Sequence, residues 1–340
     1  MPTRAAIKAI TSYFPQSRLT NQELASQLGN WTAEEIHQKT GVSSRAIAGP
    51  EECASDLGVA AARRLFESGA CRAEDVDFLL FCTQSPDYAL PATACLVQRQ
   101  LGLRTDSGAI DFNQGCSGFV YGLTLAKGLI ETGAARSVLL ITAETYSKWI
   151  HPQDRSVRTI FGDGAAATLI AGVEADQDLI GPFVLGTDGS GSKNLIVPVS
   201  GARCRRTAQT GVASERESGN WRSDENLYMN GPEILTFTLR TVPKAVRGLI
   251  ERWQRPLEDV DLFVFHQASR FMLERLRDKM ALPAEKFWID MEQCANTVSA
   301  TIPIALETAA AQGRLASGSR VMLVGFGVGY SWAATMVKWL

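Results

Sequence analysis

The sequence predicts a duplicated α/β protein layered α/β/α/β/α, and three observations carry that expectation. Glu74-Asp75-Val76-Asp77-Phe78-Leu79-Leu80-Phe81 returns as Glu258-Asp259-Val260-Asp261-Leu262-Phe263-Val264-Phe265, an offset of 184 residues (258 minus 74). Two more echoes follow in the same order: Ile110-Asp111 matches Ile289-Asp290, and Arg136-Ser137-Val138-Leu139-Leu140-Ile141 matches Ser319-Arg320-Val321-Met322-Leu323-Val324. Within each unit, short runs of Val, Leu and Phe alternate with longer Ala-rich stretches of helical character, which is the pattern of βα units. The two halves are placed at 1–172 and 173–340.

The runs at 76–82, 138–142, 260–265 and 321–325 are apolar on both faces, so they are expected to be central strands covered by helices on both sides. Between them, Ser117 to Thr132 and Ile302 to Gln312 read as apolar helices. The glycine-rich, charged stretch 186–226 has no clear period and reads as a long insertion, a lid or a loose loop, before a helix that begins near Pro232.

Composition excludes several classes. The chain has 340 residues, 45% hydrophobic and 21% charged, and a net charge of -2, so no global field draws it to nucleic acid or anionic membrane. The opening MPTRAAIKAITSYFP lacks the apolar core of a signal peptide, and no stretch approaches the roughly 20 apolar residues of a membrane span. The expectation is a cytoplasmic chain. Seven cysteines without a CxxC pair and only three histidines make a disulfide framework or a metal site unexpected.

Three residues carry the chemistry. Cys116, in Asn113-Gln114-Gly115-Cys116-Ser117-Gly118-Phe119, sits where the strand 108–112 turns into an apolar helix. The positive end of that helix is expected to lower the thiol pKa and favour a thiolate. A single cysteine is more often an inert buried residue; the turn sets Cys116 apart from Cys82 and Cys95. His266 ends the apolar strand 262–265, the end of an α/β sheet where ligands bind. Asn296 occupies the second unit's counterpart of the cysteine turn, where a helix cap is the other reading. The turn Gly325-Phe326-Gly327-Val328-Gly329 offers backbone N–H groups to an oxyanion, and it lacks any phosphate-binding signature.

At these residues the chain resembles the ketoacyl-ACP synthase III family. The match runs from about residue 5 to 340 through Gly115-Cys116-Ser117-Gly118-Phe119, Asp154-Arg155, Phe161-Gly162-Asp163-Gly164-Ala165, Asp188-Gly189-Ser190-Gly191, His266-Gln267-Ala268, Asn296-Thr297 and Phe326-Gly327-x-Gly329-Tyr330-x-Trp332. The resemblance implies a homodimer of the thiolase fold with Cys116, His266 and Asn296 as a triad. It further implies a ping-pong decarboxylative condensation: Cys116 takes an acyl group from a CoA thioester, and malonyl-ACP then enters the same site. The oxyanion would lie against the backbone of Cys116, Gly327 and Val328. No metal or redox cofactor is implied, only the substrates acyl-CoA and malonyl-ACP and the acyl carrier protein as partner.

The same resemblance places CoA, pantetheine or acyl contacts at Lys39, Arg155, Arg158 and Leu90, the last contributed across the dimer just before Pro91. Arg158 stands where the family has an apolar residue; a carboxylated or phosphorylated acyl group and a surface salt bridge are both open readings. An acidic carrier calls for a basic docking patch. Arg270, Arg275 and Arg277 are preferred to Arg240, Lys244 and Arg247, because they follow directly on the His266 turn. The chain departs from the family in Glu35 for an adenine-stacking tryptophan, Ser269 for Asn, Val328 within a triple glycine, and Pro232 for a tunnel asparagine. A thiolase-fold acyltransferase that passes the acyl group to a hydroxyl or amine is the alternative, with His266 as general base. Asn296 argues against it, since a carboxylate would orient a base better.

Overall fold

The computed structural model describes residues 1–29 and 31–340. Two five-stranded sheets carry the chain. In the first, the strands run in the order Thr3–Tyr13, Gly164–Glu174, Ser137–Glu144, Phe78–Cys82, Gly108–Phe112. In the second the order is Ile180–Thr187, Ser331–Lys338, Arg320–Gly327, Leu262–Phe265, Phe287–Trp288. Position for position the sheets match: the last three strands of each are mutually parallel and the first two antiparallel. The duplicated sequence therefore folds into duplicated topology.

The parallel strands need helical crossovers, and the apolar runs decide where those helices lie. Gly118–Glu131 and Thr301–Ala311, each apolar over most of its surface, fill the layer between the sheets, the first touching strands of both. Ala54–Glu67 and Thr93–Leu101 cover the outer face of the first sheet, and Gly231–Trp253, with Arg270–Lys279 beside it, that of the second. The layering is thus α/β/α/β/α. Strand 137–144 is buried at every position except Ser137, and 320–327 at every position except Arg320, as their unbroken apolar character requires.

The stretch 186–226 is not a loose loop. Leu195–Ile196 pairs with Tyr228–Met229, Ser214–Glu215 pairs with Trp221–Arg222, and Leu195 and Leu227 are buried against the second half. Asp163 draws in the neighbouring loops, accepting from Ala48 N–H at 2.7 Å and from the N–H of Ser147 at 2.9 Å. These contacts build the rim around the strand ends.

Candidate active site

Cys116 follows strand Gly108–Phe112 and precedes helix Gly118–Glu131, and two close approaches fix it there. A Cβ on Gly118 would collide with Cys82 Sγ, and one on Gly327 would lie 2.8 Å from Cys116 Sγ. Glycine at 327 lets the end of strand 320–327 pass directly over the thiol. The backbone N–H groups of Val328 and of Cys116 itself lie near enough to favour negative charge on the sulfur. Val328 does not take a left-handed conformation; Gly329 does, with φ +132°, so the β-branched residue sits in the turn without conflict.

His266 ends strand Leu262–Phe265 and is buried. Its Nδ1 lies 2.7 Å from Thr301 Oγ1, the first residue of the inter-sheet helix, and that hydroxyl also lies 3.1 Å from Val298 O. The Thr301 hydroxyl has one proton: donated to Val298 O it accepts from Nδ1–H, and donated to Nδ1 it leaves Nε2–H as a donor, the tautomer that a substrate carbonyl at Nε2 selects. Burial drives the His266 pKa down to about 3, so the ring is neutral.

Asn296 is held by a tense turn: Ala295 and Val298, on either side, have φ of 61° and 56°. Its backbone bridges to the first half through Ile160 O and Gly162 N. Its Oδ1 accepts from Val298 N–H at 2.9 Å, and its Nδ2 reaches Ala268 O at 3.3 Å, leaving one N–H uncommitted.

The three side chains line one cavity of about 370 Å³, whose other walls are apolar, among them Phe161, Leu195, Met229, Ile234 and Phe326. Sequence reasoning expected a thiolate at Cys116, and the structure corrects this. Burial pushes the thiol up to about 12, outweighing the N–H groups of Val328 and Cys116 that pull it down, and the buried Glu144 carboxyl adds to the rise. Neither Cys116 nor His266 is charged at neutral pH, so no thiolate–imidazolium pair exists at rest.

Other expected residues fall outside this cavity. Lys39 is exposed and lies over the Trp31 ring at 3.9 Å. Arg155 is spent on the insertion, Nη2 donating to Ser218 O at 2.7 Å and its N–H to Asn220. Arg158 lines a neighbouring cavity and donates to Pro152 O and Gln27 Oε1, with no carboxylate partner among the described residues. Leu90 is 86% exposed in the single chain and forms no wall of the site. The three expected docking arginines do not form one free patch. Arg270 packs against Gly41 with its Nε buried, Arg277 pairs with Asp278, and Arg275 alone is exposed, over the Phe271 ring.

Departures at three positions have local explanations. Glu35 closes a capping box with Thr32 at the start of helix Ala33–Thr40, and Ser269 caps helix Arg270–Lys279. Pro232 suits the first turn of helix Gly231–Trp253, where no N–H partner is needed, and it lines the cavity.

Sequence reasoning missed Thr301 and Glu144. Glu144 ends strand 137–144 fully buried; its carboxylate accepts from Ser299 Oγ at 2.7 Å, from Gln84 N–H at 3.0 Å and from Ser85 Oγ at 3.3 Å. The one signal available was an acid closing a strand that is otherwise apolar on both faces.

Comparison with known proteins decides the relationship. Residues 110–189 match the model for 3-oxoacyl-[acyl-carrier-protein (ACP)] synthase III, and 250–339 match the model for its C-terminal part. A beta-ketoacyl-[acyl-carrier-protein] synthase III of Caldanaerobacter subterraneus is 35% identical over 98% of both chains. The chain belongs to the 3-oxoacyl-ACP synthase III family. A crystal structure of a 3-oxoacyl-(acyl-carrier-protein) synthase III superposes with a TM-score of 0.98 at 54% identity, covering 99% of this chain and 100% of that one. A synthase of this family from Burkholderia xenovorans superposes with a TM-score of 0.90 at 35% identity, covering 99% and 94%. Membership of the synthase III family makes the fold a thiolase fold.

Proposed function

We propose that the chain joins a Cys116-bound acyl group to malonyl-ACP, giving 3-oxoacyl-ACP and carbon dioxide. What carries this reading is the cavity that holds a thiol beside the neutral ring of His266 and the free Nδ2–H of Asn296. Family membership and full-length similarity to synthases of that name support it.

In the first half-reaction, Cys116 Sγ attacks the acyl-CoA carbonyl. Its proton ends on the departing CoA thiol, so the high resting pKa of Cys116 ties ionisation to the presence of substrate. In the second, the C–C bond to the malonyl carboxylate breaks and its electron pair enters the thioester as an enolate. His266 and Asn296 donate to that enolate oxygen, where charge appears only along the reaction path. A neutral donor suits this step, because an imidazolium would hold the malonyl carboxylate in the ground state. The enolate carbon then attacks acyl-Cys116. The N–H groups of Cys116 and Val328, which favour negative charge at this spot, receive the second oxyanion. Collapse expels the Cys116 thiolate, which takes up a proton.

A homodimer is part of this reading: Leu90, with Tyr88 61% exposed nearby, would meet the acyl end of the partner's site. Arg275 beside Phe271, at the mouth of the cavity, is the proposed carrier contact, and a cytoplasmic location is part of the same reading. The test is carbon dioxide release from malonyl-ACP with formation of 3-oxoacyl-ACP, with Cys116→Ala as control. Acylation of Cys116 without carbon dioxide release would replace condensation by acyl transfer to another acceptor.

A further inference from the structure

The cavity that holds Cys116 has a neighbour of opposite character, with Leu195 as a shared wall. The first is the apolar one that also holds His266 and Asn296. The second, of about 220 Å³, has Gln84, Asn113, Tyr146 and Ser200 among its walls. Leu195 lines both, and Cys116 packs in one cluster with Leu195, Tyr146 and Leu227 of the second. Gln84 and Val328, both walls of the second cavity, flank Gly115, where a Cβ would strike each of them. An acyl group on Cys116 that points away from His266 and Asn296 is thus directed toward the side of the second cavity, past Leu195 and Val328.

That cavity is wired for a neutral polar group. Tyr146 Oη donates to Gln84 Oε1 at 2.7 Å, and Gln84 Nε2 donates to Asn113 Oδ1 at 2.9 Å. The chain leaves the lone pairs of Tyr146 Oη, one N–H of Gln84 and the amide of Asn113 uncommitted, so donors and acceptors are both on offer. No charged side chain lines it among the described residues, and the buried Glu144 raises the ionisation cost of both Cys116 and Tyr146 beside it. An anionic acyl group would find no cation there.

Resting on the condensing reading above, we infer that Gln84, Tyr146 and Asn113 select a short acyl group bearing a neutral oxygen function, a hydroxyl or keto group, over a plain alkanoyl or a carboxyacyl group.

The experiment measures the rate of Cys116 acylation by intact mass with butyryl-CoA, 3-hydroxybutyryl-CoA and succinyl-CoA, for the full-length protein, Gln84→Leu and Tyr146→Phe. The expected result is at least ten-fold higher kcat/KM with 3-hydroxybutyryl-CoA than with butyryl-CoA, succinyl-CoA the slowest, and a hydroxyacyl-to-alkanoyl ratio that falls toward one in each variant. The ratio is taken within each protein, so partial loss of folded material cancels. A ratio of one or below in the full-length protein, a ratio unchanged by both substitutions, or succinyl-CoA as the fastest donor would overturn the inference. Flat labelling by all three donors sinks this inference alone; labelling by none sinks the acylation step of the proposed function as well.

Discussion

Glu144→Gln isolates one buried proton. Burial raises the Glu144 carboxyl from its ordinary 4.5 to about 8, against the pull of hydrogen bonds from Ser299, Gln84 and Ser85. Between those values the folded chain keeps a proton that the unfolded chain has released, so stability falls as pH rises, by about 1.4 kcal/mol per unit well below the folded pKa. Between pH 6 and pH 8 the loss comes to about 2 kcal/mol, since the slope flattens once the folded carboxyl begins to ionise. Glutamine mimics the protonated form. Its carbonyl can accept from Gln84 N–H and Ser85, and its amide can donate to Ser299 Oγ, which rotates to accept. Denaturant titrations of both proteins at pH 6, 7 and 8 are expected to show the variant gaining about 2 kcal/mol on the native chain across that range, while the burdens shared by both, such as Asp163, cancel. A difference that stays flat with pH would mean that Glu144 titrates as an ordinary carboxyl and that the reasoning from its burial is wrong.

Further outcomes follow from the same geometry. In Gly327→Ala the new methyl would lie 2.8 Å from Cys116 Sγ, and the displaced thiol should cost about a hundred-fold in acylation rate; wild-type rates would show that the strand end can yield. Iodoacetamide labelling of Cys116 should rise about ten-fold per pH unit from 6.5 to 9 without levelling, because the thiol stands near 12; a plateau centred below pH 8 would refute this. Neutral His266, with its pKa near 3 against 6.5 unfolded, contributes stability that is present above pH 6.5 and lost as pH falls, about 1.4 kcal/mol per unit. A His266→Gln chain should show a correspondingly shallower acid slope. Arg155→Ala should free the 218–220 turn and speed tryptic cleavage at Arg216, read by mass spectrometry, whereas an unchanged digest would mean that other contacts hold the insertion.

The fold was legible because duplication and doubly buried strands both leave marks that survive in one sequence. An echo such as Asp75-Val76-Asp77 and Asp259-Val260-Asp261 needs no partner to be seen. The carboxylates in it explain why it persists: Asp77 and Asp261 each meet a backbone N–H of the next parallel strand's entry, at Arg136 and Arg320. The substrate contacts were less legible for a physical reason. Lys39, Arg155 and Arg158 were assigned by type and position, but a long cation finds whatever acceptor lies within its reach. Here those acceptors are the Trp31 ring, Ser218 O, and Pro152 O with Gln27. Thr301 left no pattern, since it acts through a single hydroxyl beside His266, and Glu144 left only its acid at the end of an apolar strand, with its partner Ser299 far off in the other half.

That seam explains why the site needs both repeats. Cys116 comes from the first strand-to-helix turn and Asn296 from its counterpart, with His266 on the strand beside it. The bonds that hold them also cross over: Asn296 to Ile160 and Gly162, Ser299 to Glu144, and Ser117 to Ser331. A helix N-terminus alone does not make the buried thiol ionic, because desolvation at this depth exceeds the helix's partial charge. Reactivity must then come from groups that meet the substrate, two neutral donors for one oxyanion and two backbone N–H groups for the other. Such groups keep their effect only where water is excluded, and the second half supplies that enclosure by laying Gly327 across the thiol. A half with the cysteine turn but no facing turn would leave the same thiol open to water and without either donor set.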